Sequence, residues 1–214
     1  MPARQLRTVR IGDLALHDVA PPEVDRLIEE WITDPDRRGR YVCTPNVDYV
    51  VRARRDSVFR AAIAAADLRV PDGMWIIYAS RIARRPLRAT VTGRLLLPRL
   101  ARMCWEHGLT IAIMGAGPGI ADAAARNLRA AYPGLEVTQS ISPPARFVVD
   151  SGADREIVGA IAARPPSILF VALGAPKQEV WMQRHVADFP GSVLSGSGRV
   201  SISSRDASAP HQGG

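Results

Sequence analysis

From Leu109 onward the chain alternates short apolar segments with stretches of helical periodicity: LTIAIMG, GIADAAARNLRAAY, LEVTQ, DREIVGAIAAR, SILFVALG, PKQEVWMQRHVADF and SVLSG. Consecutive strands separated by helices are too far apart in the chain to close as tight hairpins, so they pair in parallel and their crossover helices cover the sheet. The predicted fold class is α/β and Rossmann-like, a mostly parallel sheet with helices on both faces. Upstream, TVRIGDLAL predicts a short N-terminal strand or hairpin and PPEVDRLIEEWIT a helix. GRYVCTPN predicts a strand, VDYVVRARRDSVFRAAIAAA two consecutive helices, LRV a short strand, and MWIIYASRIARR a helix. GRLLLPRLARMCWEHG predicts a further helix, kinked or started by Pro98.

The chain has 214 residues, enough for one substantial core. The expected division is a single domain over 1–198 and an irregular Ser/Gly-rich tail over 199–214. At 47% hydrophobic and 23% charged, the composition is that of a globular protein. No apolar run approaches the roughly 18 residues of a spanning helix, and the N-terminus lacks the pattern of a secretory signal, so a cytoplasmic location is expected. The two cysteines, Cys43 and Cys104, fall in a predicted strand and a predicted helix and are expected to be buried. The four histidines show no zinc-binding spacing, and the expectation for metal and cofactor is none. A formal net charge of +7 favours anionic partners. The arginines are spread over several helices without interleaved aromatics, which argues against nucleic acid, while RIARRPLR is dense enough to lie on a phosphate-rich surface. An exposed MWIIYA face would support self-association.

In an open parallel sheet, ligands bind beyond the carboxyl ends of the strands, and four such junctions stand out. In CTPNVD, Thr44 and Asn46 follow a strand and precede a helix, where they could cap that helix or contact a ligand. In VPDG, Asp72 taken alone reads as turn chemistry, though a carboxylate at that edge could serve as a general base if a sugar hydroxyl came within reach. MGAGPG, with Gly115, Ala116 and Gly117, permits a tight turn and a close approach to phosphate. Its GxGxG spacing and a following strand that ends at Gln139, with no acidic residue, disfavour hydride chemistry with a nicotinamide. In FVALGAPKQEVW, Gly174 turns the chain into a helix opened by Pro176. Lys177 and Glu179 there could simply be solvated, whereas Gln178, at the mouth of the expected pocket, suits a uracil or a sugar hydroxyl.

Taken in order, these junctions resemble those of the WecG/TagA/CpsF family of bacterial glycosyltransferases, over about Thr8 to Gly198. LGAPKQEVW carries the resemblance most specifically, supported by TPN at Thr44 to Asn46, by ADLRVPDGMWI and by IMGAGPGIADAAARNL. The resemblance implies a metal-independent, inverting transfer of a hexose (N-acetylmannosamine, its uronic acid or glucose) from a UDP-sugar to a polyprenyl-diphosphate-linked sugar. The setting it implies is the inner face of the cytoplasmic membrane, in cell-envelope polysaccharide or teichoic-acid linkage-unit synthesis. It implies Asp72 as general base, Thr44 and Asn46 as residues that place the sugars, and Gly115, Ala116, Gly117, Gly174, Lys177, Gln178 and Glu179 as the UDP-binding region. Two departures follow. The family's arginine before the threonine-glycine pair is Thr90 here; Arg88 and Arg94 lie nearby and could substitute, but neither is aligned with it. Where the family has an arginine-rich C-terminal appendage, associated with membrane contact and closure of the site, the chain reads SGSGRVSISSRDASAPHQGG. That departure supports an alternative expectation, a UDP-sugar-binding protein with impaired catalysis.

Overall fold

A computed structural model describes residues 6–115 and 117–196, with the backbone but not the side chain of Arg94. The expected tail over 199–214 and Ala116 lie outside the described residues. The chain opens with an antiparallel hairpin, β1 (Thr8–Ile11) and β2 (Leu14–His17). Its alternate residues are buried, as expected of a ribbon with one face on a core. Helix α1 (Pro21–Ile32) begins with proline in its first turn, where the missing N–H costs nothing, and the Glu23 carboxylate accepts the Ala20 N–H at 2.7 Å.

The elements that follow are β3 (Arg40–Cys43), α2 (Val47–Ala53), α3 (Ser57–Ala65), β4 (Leu68–Arg69), α4 (Met74–Ile82) and α5 (Gly93–His107). The regular half contains β5 (Thr110–Gly115), α6 (Ile120–Ala131), β6 (Glu136–Ile141), α7 (Gly152–Ala163), β7 (Ile168–Ala172), α8 (Lys177–His185) and β8 (Val193–Gly196). The main sheet has the order β4-β3-β8-β7-β5-β6, and every pair in it is parallel. Two boundaries differ from the sequence reading. β6 continues past Gln139 to Ile141, because its ladder with β5 resumes after an irregularity between Ile111 and Ala112. Pro98 lies inside α5 rather than starting it, since the helix already begins at Gly93.

Both faces of the sheet are buried, which is why the central strands read as continuous apolar runs. Ile111 and Ile113 of β5, with Ile168 and Phe170 of β7, pack toward α1, α5 and α6. The intervening Ala112, Met114, Leu169 and Val171 pack toward α7 and α8. A third cluster joins the hairpin to α2, α3 and α4 through Leu14, Leu16, Tyr49, Phe59 and Ile76. Both cysteines are buried, and burial pushes the Cys104 thiol up to about 12. Among the described residues no helix is long and apolar enough to cross a membrane.

Two polar clamps hold these layers in place. The Arg69 guanidinium donates to the carbonyls of Ala15, Ala64 and Ala66 at 2.8, 2.7 and 2.9 Å, and its backbone N–H donates to His17 Nδ1 at 2.9 Å. Burial, with the Arg69 charge beside it, lowers His17 to about 4, so the ring is neutral and free to accept. In the first turn of α7, the fully buried Asp154 accepts from Trp181 Nε1 at 2.7 Å and from the Asp150 N–H at 2.6 Å, tying α7 to α8.

Gly115 ends β5 with φ +116°, and a Cβ there would lie 2.5 Å from the carbonyl carbon and oxygen of Ala172. Besides the tight turn and close phosphate approach that the sequence suggests for this glycine, the packing of β5 on β7 by itself leaves no room for a side chain. Gly115→Ala combines a disfavoured positive φ with overpacking against backbone. It is expected to destabilise the fold by about 2–5 kcal/mol, read as a lower urea midpoint at unchanged m-value.

Candidate active site

Parallel pairing sends every βα loop to one edge, so the residues after β3, β4, β5 and β7 share a rim. At one end of that rim the backbone continues pairing beyond the strands. Val70 N–H donates to the Cys43 carbonyl at 2.9 Å and Asp72 N–H to the Pro45 carbonyl at 2.9 Å, so the VPDG turn is held against the TPN turn. The Val91 N–H donates to the Pro71 carbonyl at 2.9 Å and brings the start of α5 to the same place.

Asp72 therefore sits between the N-termini of α4 and α5, and its Oδ2 accepts the Gly93 N–H at 3.3 Å. Burial raises its carboxyl above the ordinary value, and the hydrogen bond from Gly93 opposes that rise. A carboxylate so placed is a better proton acceptor than one in water. It faces a cavity of about 450 Å³ lined by Asn46, Val47, Asp48, Asp72, Gly73 and Trp75. Among the described residues, two carboxylates and no cation line this cavity, a lining that suits hydroxyl groups better than phosphate.

Asn46 is the N-cap of α2, its Oδ1 accepting the Tyr49 N–H at 3.2 Å, while its residue also lines the cavity. Capping and proximity to the cavity are thus combined at one position. Thr44 is buried at the carboxyl end of β3. Trp75 and Asp48 have no distinguishing signal in the sequence. Only the folded turns bring an exposed tryptophan and a second acid beside Asp72.

The other end of the rim is a topological switch point. β5 and β7 are neighbours, yet α6 carries the chain from β5 outward to β6 while α8 carries it from β7 the other way to β8. A crevice opens where successive crossovers part, and Gly115 and Gly174 mark its two lips. Gly117 lies in the turn between β5 and α6, its carbonyl accepting from Ser142 Oγ at 3.2 Å. Gly174 has φ +76° with open space where a Cβ would stand. Three strand spacings of about 4.8 Å separate β4 from β7, so the two ends of the rim lie roughly 14 Å apart.

The GAPKQE turn behaves differently from the sequence reading. Gln178 is 3% exposed and Glu179 0%, so neither stands at a pocket mouth and Glu179 is not solvated. Gln178 Oε1 accepts the Gly174 N–H at 3.2 Å, while its Nε2 donates to Tyr49 Oη at 3.2 Å and to Glu179 Oε1 at 2.7 Å. Tyr49 Oη donates to the same Glu179 oxygen at 2.6 Å. A Cβ on Gly196 would come within 2.9 Å of Gln178 Nε2, so the end of β8 also closes on this amide. The result is a buried brace from α2 to the β7–α8 turn. Burial raises the Glu179 carboxyl and the Tyr49 hydroxyl above their ordinary values. Lys177 is exposed, with Nζ donating to the Phe147 carbonyl at 2.9 Å.

Arg88, one of the two arginines near Thr90, is engaged with α1 and the segment before it. Its guanidinium pairs with Asp18 at 3.3 Å and Glu23 at 3.0 Å, and its N–H donates to Asp18 Oδ1 at 2.8 Å. The side chain of Arg94 lies outside the described residues.

The order of strands, the rim and the switch point define a doubly wound, Rossmann-like α/β architecture. The model of the glycosyl transferase WecG/TagA/CpsF family matches residues 9–201, and the chain belongs to that family. It is similar to the N-acetylglucosaminyldiphosphoundecaprenol N-acetyl-beta-D-mannosaminyltransferase of Bacillus spizizenii, at 26% identity over 75% of this chain and 60% of that protein. The enzyme of the same name from Staphylococcus aureus is 24% identical over 80% of this chain and 65% of its own length. The matches thus span about 60 to 65% of those relatives.

Glu179→Ala leaves the Tyr49 hydroxyl and the Gln178 amide buried without their acceptor, and is expected to cost about 2–5 kcal/mol in urea unfolding. Glu179→Gln keeps an acceptor oxygen and is expected to lose less than half as much. Because burial raises the Glu179 carboxyl, the wild-type contribution is complete below the ordinary glutamate range and declines as pH rises through the raised value. The pH profile of Glu179→Gln is expected to lack that decline.

Proposed function

We propose that the chain transfers a hexose from a UDP-sugar to a polyprenyl-diphosphate-linked sugar with inversion and without a metal, Asp72 being the general base. The observation that carries this reading is Asp72 itself, raised by burial and facing a cavity lined by a second acid, an amide and an exposed indole. In the reaction, Asp72 takes the proton of the acceptor hydroxyl, the hydroxyl oxygen forms a bond to the anomeric carbon of the donor sugar, and the bond from that carbon to UDP breaks on the opposite face. UDP leaves with the bonding electrons.

The acidic cavity suits the sugars, with Thr44 and Asn46 beside them, and disfavours the diphosphate. The nucleotide belongs instead at the switch point, against the turns at Gly115 to Gly117 and at Gly174 with Lys177. There, backbone N–H groups at the starts of α6 and α8 favour negative charge. Roughly 14 Å between the two ends of the rim is a span that an extended nucleoside diphosphate with its hexose can cover. Gln178 and Glu179 serve this site by bracing the Gly174 turn rather than by reaching the donor. N-acetylmannosamine is the transferred sugar named for the relatives and is the first donor to test, before its uronic acid and glucose. The setting is the inner face of the cytoplasmic membrane, in cell-envelope polymer or teichoic-acid linkage-unit synthesis.

The test is transfer from a panel of UDP-sugars to a short-chain lipid-diphosphate N-acetylglucosamine. Asp72→Asn is expected to lower kcat by about 10²–10⁴-fold with UDP affinity unchanged. Its thermal midpoint is expected to be equal or higher, because the variant removes a carboxylate whose ionised form burial disfavours. In the wild type, the rate falls as pH drops through the raised Asp72 value. UDP binding with no turnover of any donor would instead support the binding-protein alternative.

A further inference from the structure

Helix α4 is apolar on both sides. Ile76 and Ile77 enter the cluster shared with the hairpin, and Ser80 is buried with them. Met74, Trp75, Tyr78 and Ile82 are exposed, Trp75 at 75% and Ile82 at 84%. With 3.6 residues per turn these four fall within an arc of about 100°, one continuous stripe along the outer side of the helix. Trp75 and Tyr78 meet edge to face at 5.9 Å, so the stripe is an ordered surface. Its N-terminal end is the rim of the Asp72 cavity, which Trp75 lines together with Val47.

Acidic groups, Asp48 and Asp72, lie only at the N-terminal end of the stripe, in the cavity, while toward its C-terminal end the charge is positive. Arg81, on α4 itself, and Arg84 and Arg85 just beyond it are all exposed. None of them appears in the ion pairs formed among the described residues, whereas Arg88 is neutralised by Asp18 and Glu23. A layer of anionic headgroups answers both features: it pairs with the arginines and takes tryptophan and tyrosine at the boundary between polar and acyl regions.

We infer that α4 is a bilayer-docking face, lying on an anionic lipid surface through Met74, Trp75, Tyr78 and Ile82 with Arg81, Arg84 and Arg85 on the headgroups. The inference rests on the proposed lipid-linked acceptor for its purpose: docking this face puts the mouth of the Asp72 cavity at headgroup level, where a membrane-held diphosphate sugar presents its hydroxyl.

The full chain is tested by co-sedimentation with vesicles of phosphatidylglycerol and phosphatidylethanolamine, and with vesicles of phosphatidylcholine alone. Binding is expected to the first and to be weak on the second. The Tyr78→Ser/Ile82→Ser variant is expected to lower the partition coefficient at least about tenfold. Arg81→Glu/Arg85→Glu is expected to lower it by roughly fivefold or more per residue and to reduce its salt dependence. These side chains are exposed, and circular dichroism checks that each variant is folded. Binding that ignores lipid charge, or that both variants retain in full, overturns the inference. So does a dimer in sedimentation velocity that Tyr78→Ser/Ile82→Ser dissociates without changing vesicle binding, which would assign the face to a second copy. Transfer to a water-soluble acceptor analogue separates this inference from the reading beneath it. Vesicle binding through α4 with no transfer keeps the docking face and removes the transferase. Transfer without vesicle binding does the reverse.

Discussion

All six strands of the main sheet run the same way, and that single constraint organises the molecule. Parallel strands need crossovers, crossovers place helices on both faces, and every loop leaving a carboxyl end must then emerge on one edge. Asp72, Asn46, Gly115 and Gly174 come from four strands distant in sequence, and only common strand direction puts them on one rim. The helices that follow them point their N-termini at the same edge, so the rim is biased toward negative ligands before any side chain is considered.

Along that rim the two ends differ in electrostatics. The cavity beside Asp72 holds two carboxylates, while the switch point at Gly115 and Gly174 exposes backbone turns with Lys177 nearby. A ligand with an anionic end and a hydroxylated end is therefore oriented by the fold, its phosphates away from the acids. The buried brace of Glu179, Tyr49 and Gln178 keeps the two ends in register, because it links α2, which carries Asn46, to the turn at Gly174. Among the described residues Glu179 Oε2 is buried without a hydrogen-bond partner, so the brace holds a carboxyl group at an electrostatic cost. Its stability depends on the protonation and pairing of that one group.

Much of the architecture was legible from periodicity. Alternating strands and helices after Leu109, the N-terminal hairpin and the paired α2 and α3 all appear where the pattern placed them. Junction residues were legible too, because ligand sites in parallel sheets lie after strands. Side-chain roles were less so. Gln178 and Glu179 look like exposed polar residues at a helix start, yet they are among the most buried polar groups, since α2 and β8 close over them. Arg88 looks available for the site but is held by Asp18 and Glu23, one from the segment before α1 and one from within it. The MWIIYA stretch reads as a helix with an exposed apolar face, and packing decides which of its side chains turn inward and which stay outside.

The sequence by itself determined the parallel α/β class, the family pattern and the positions of the turns, because backbone periodicity and glycine or proline chemistry act locally. The tertiary structure alone decided which polar residues brace the fold, which acid faces a cavity and which apolar stripe stays uncovered. Those outcomes depend on contacts between segments as far apart as Tyr49 and Glu179, and no local pattern encodes a long-range partner.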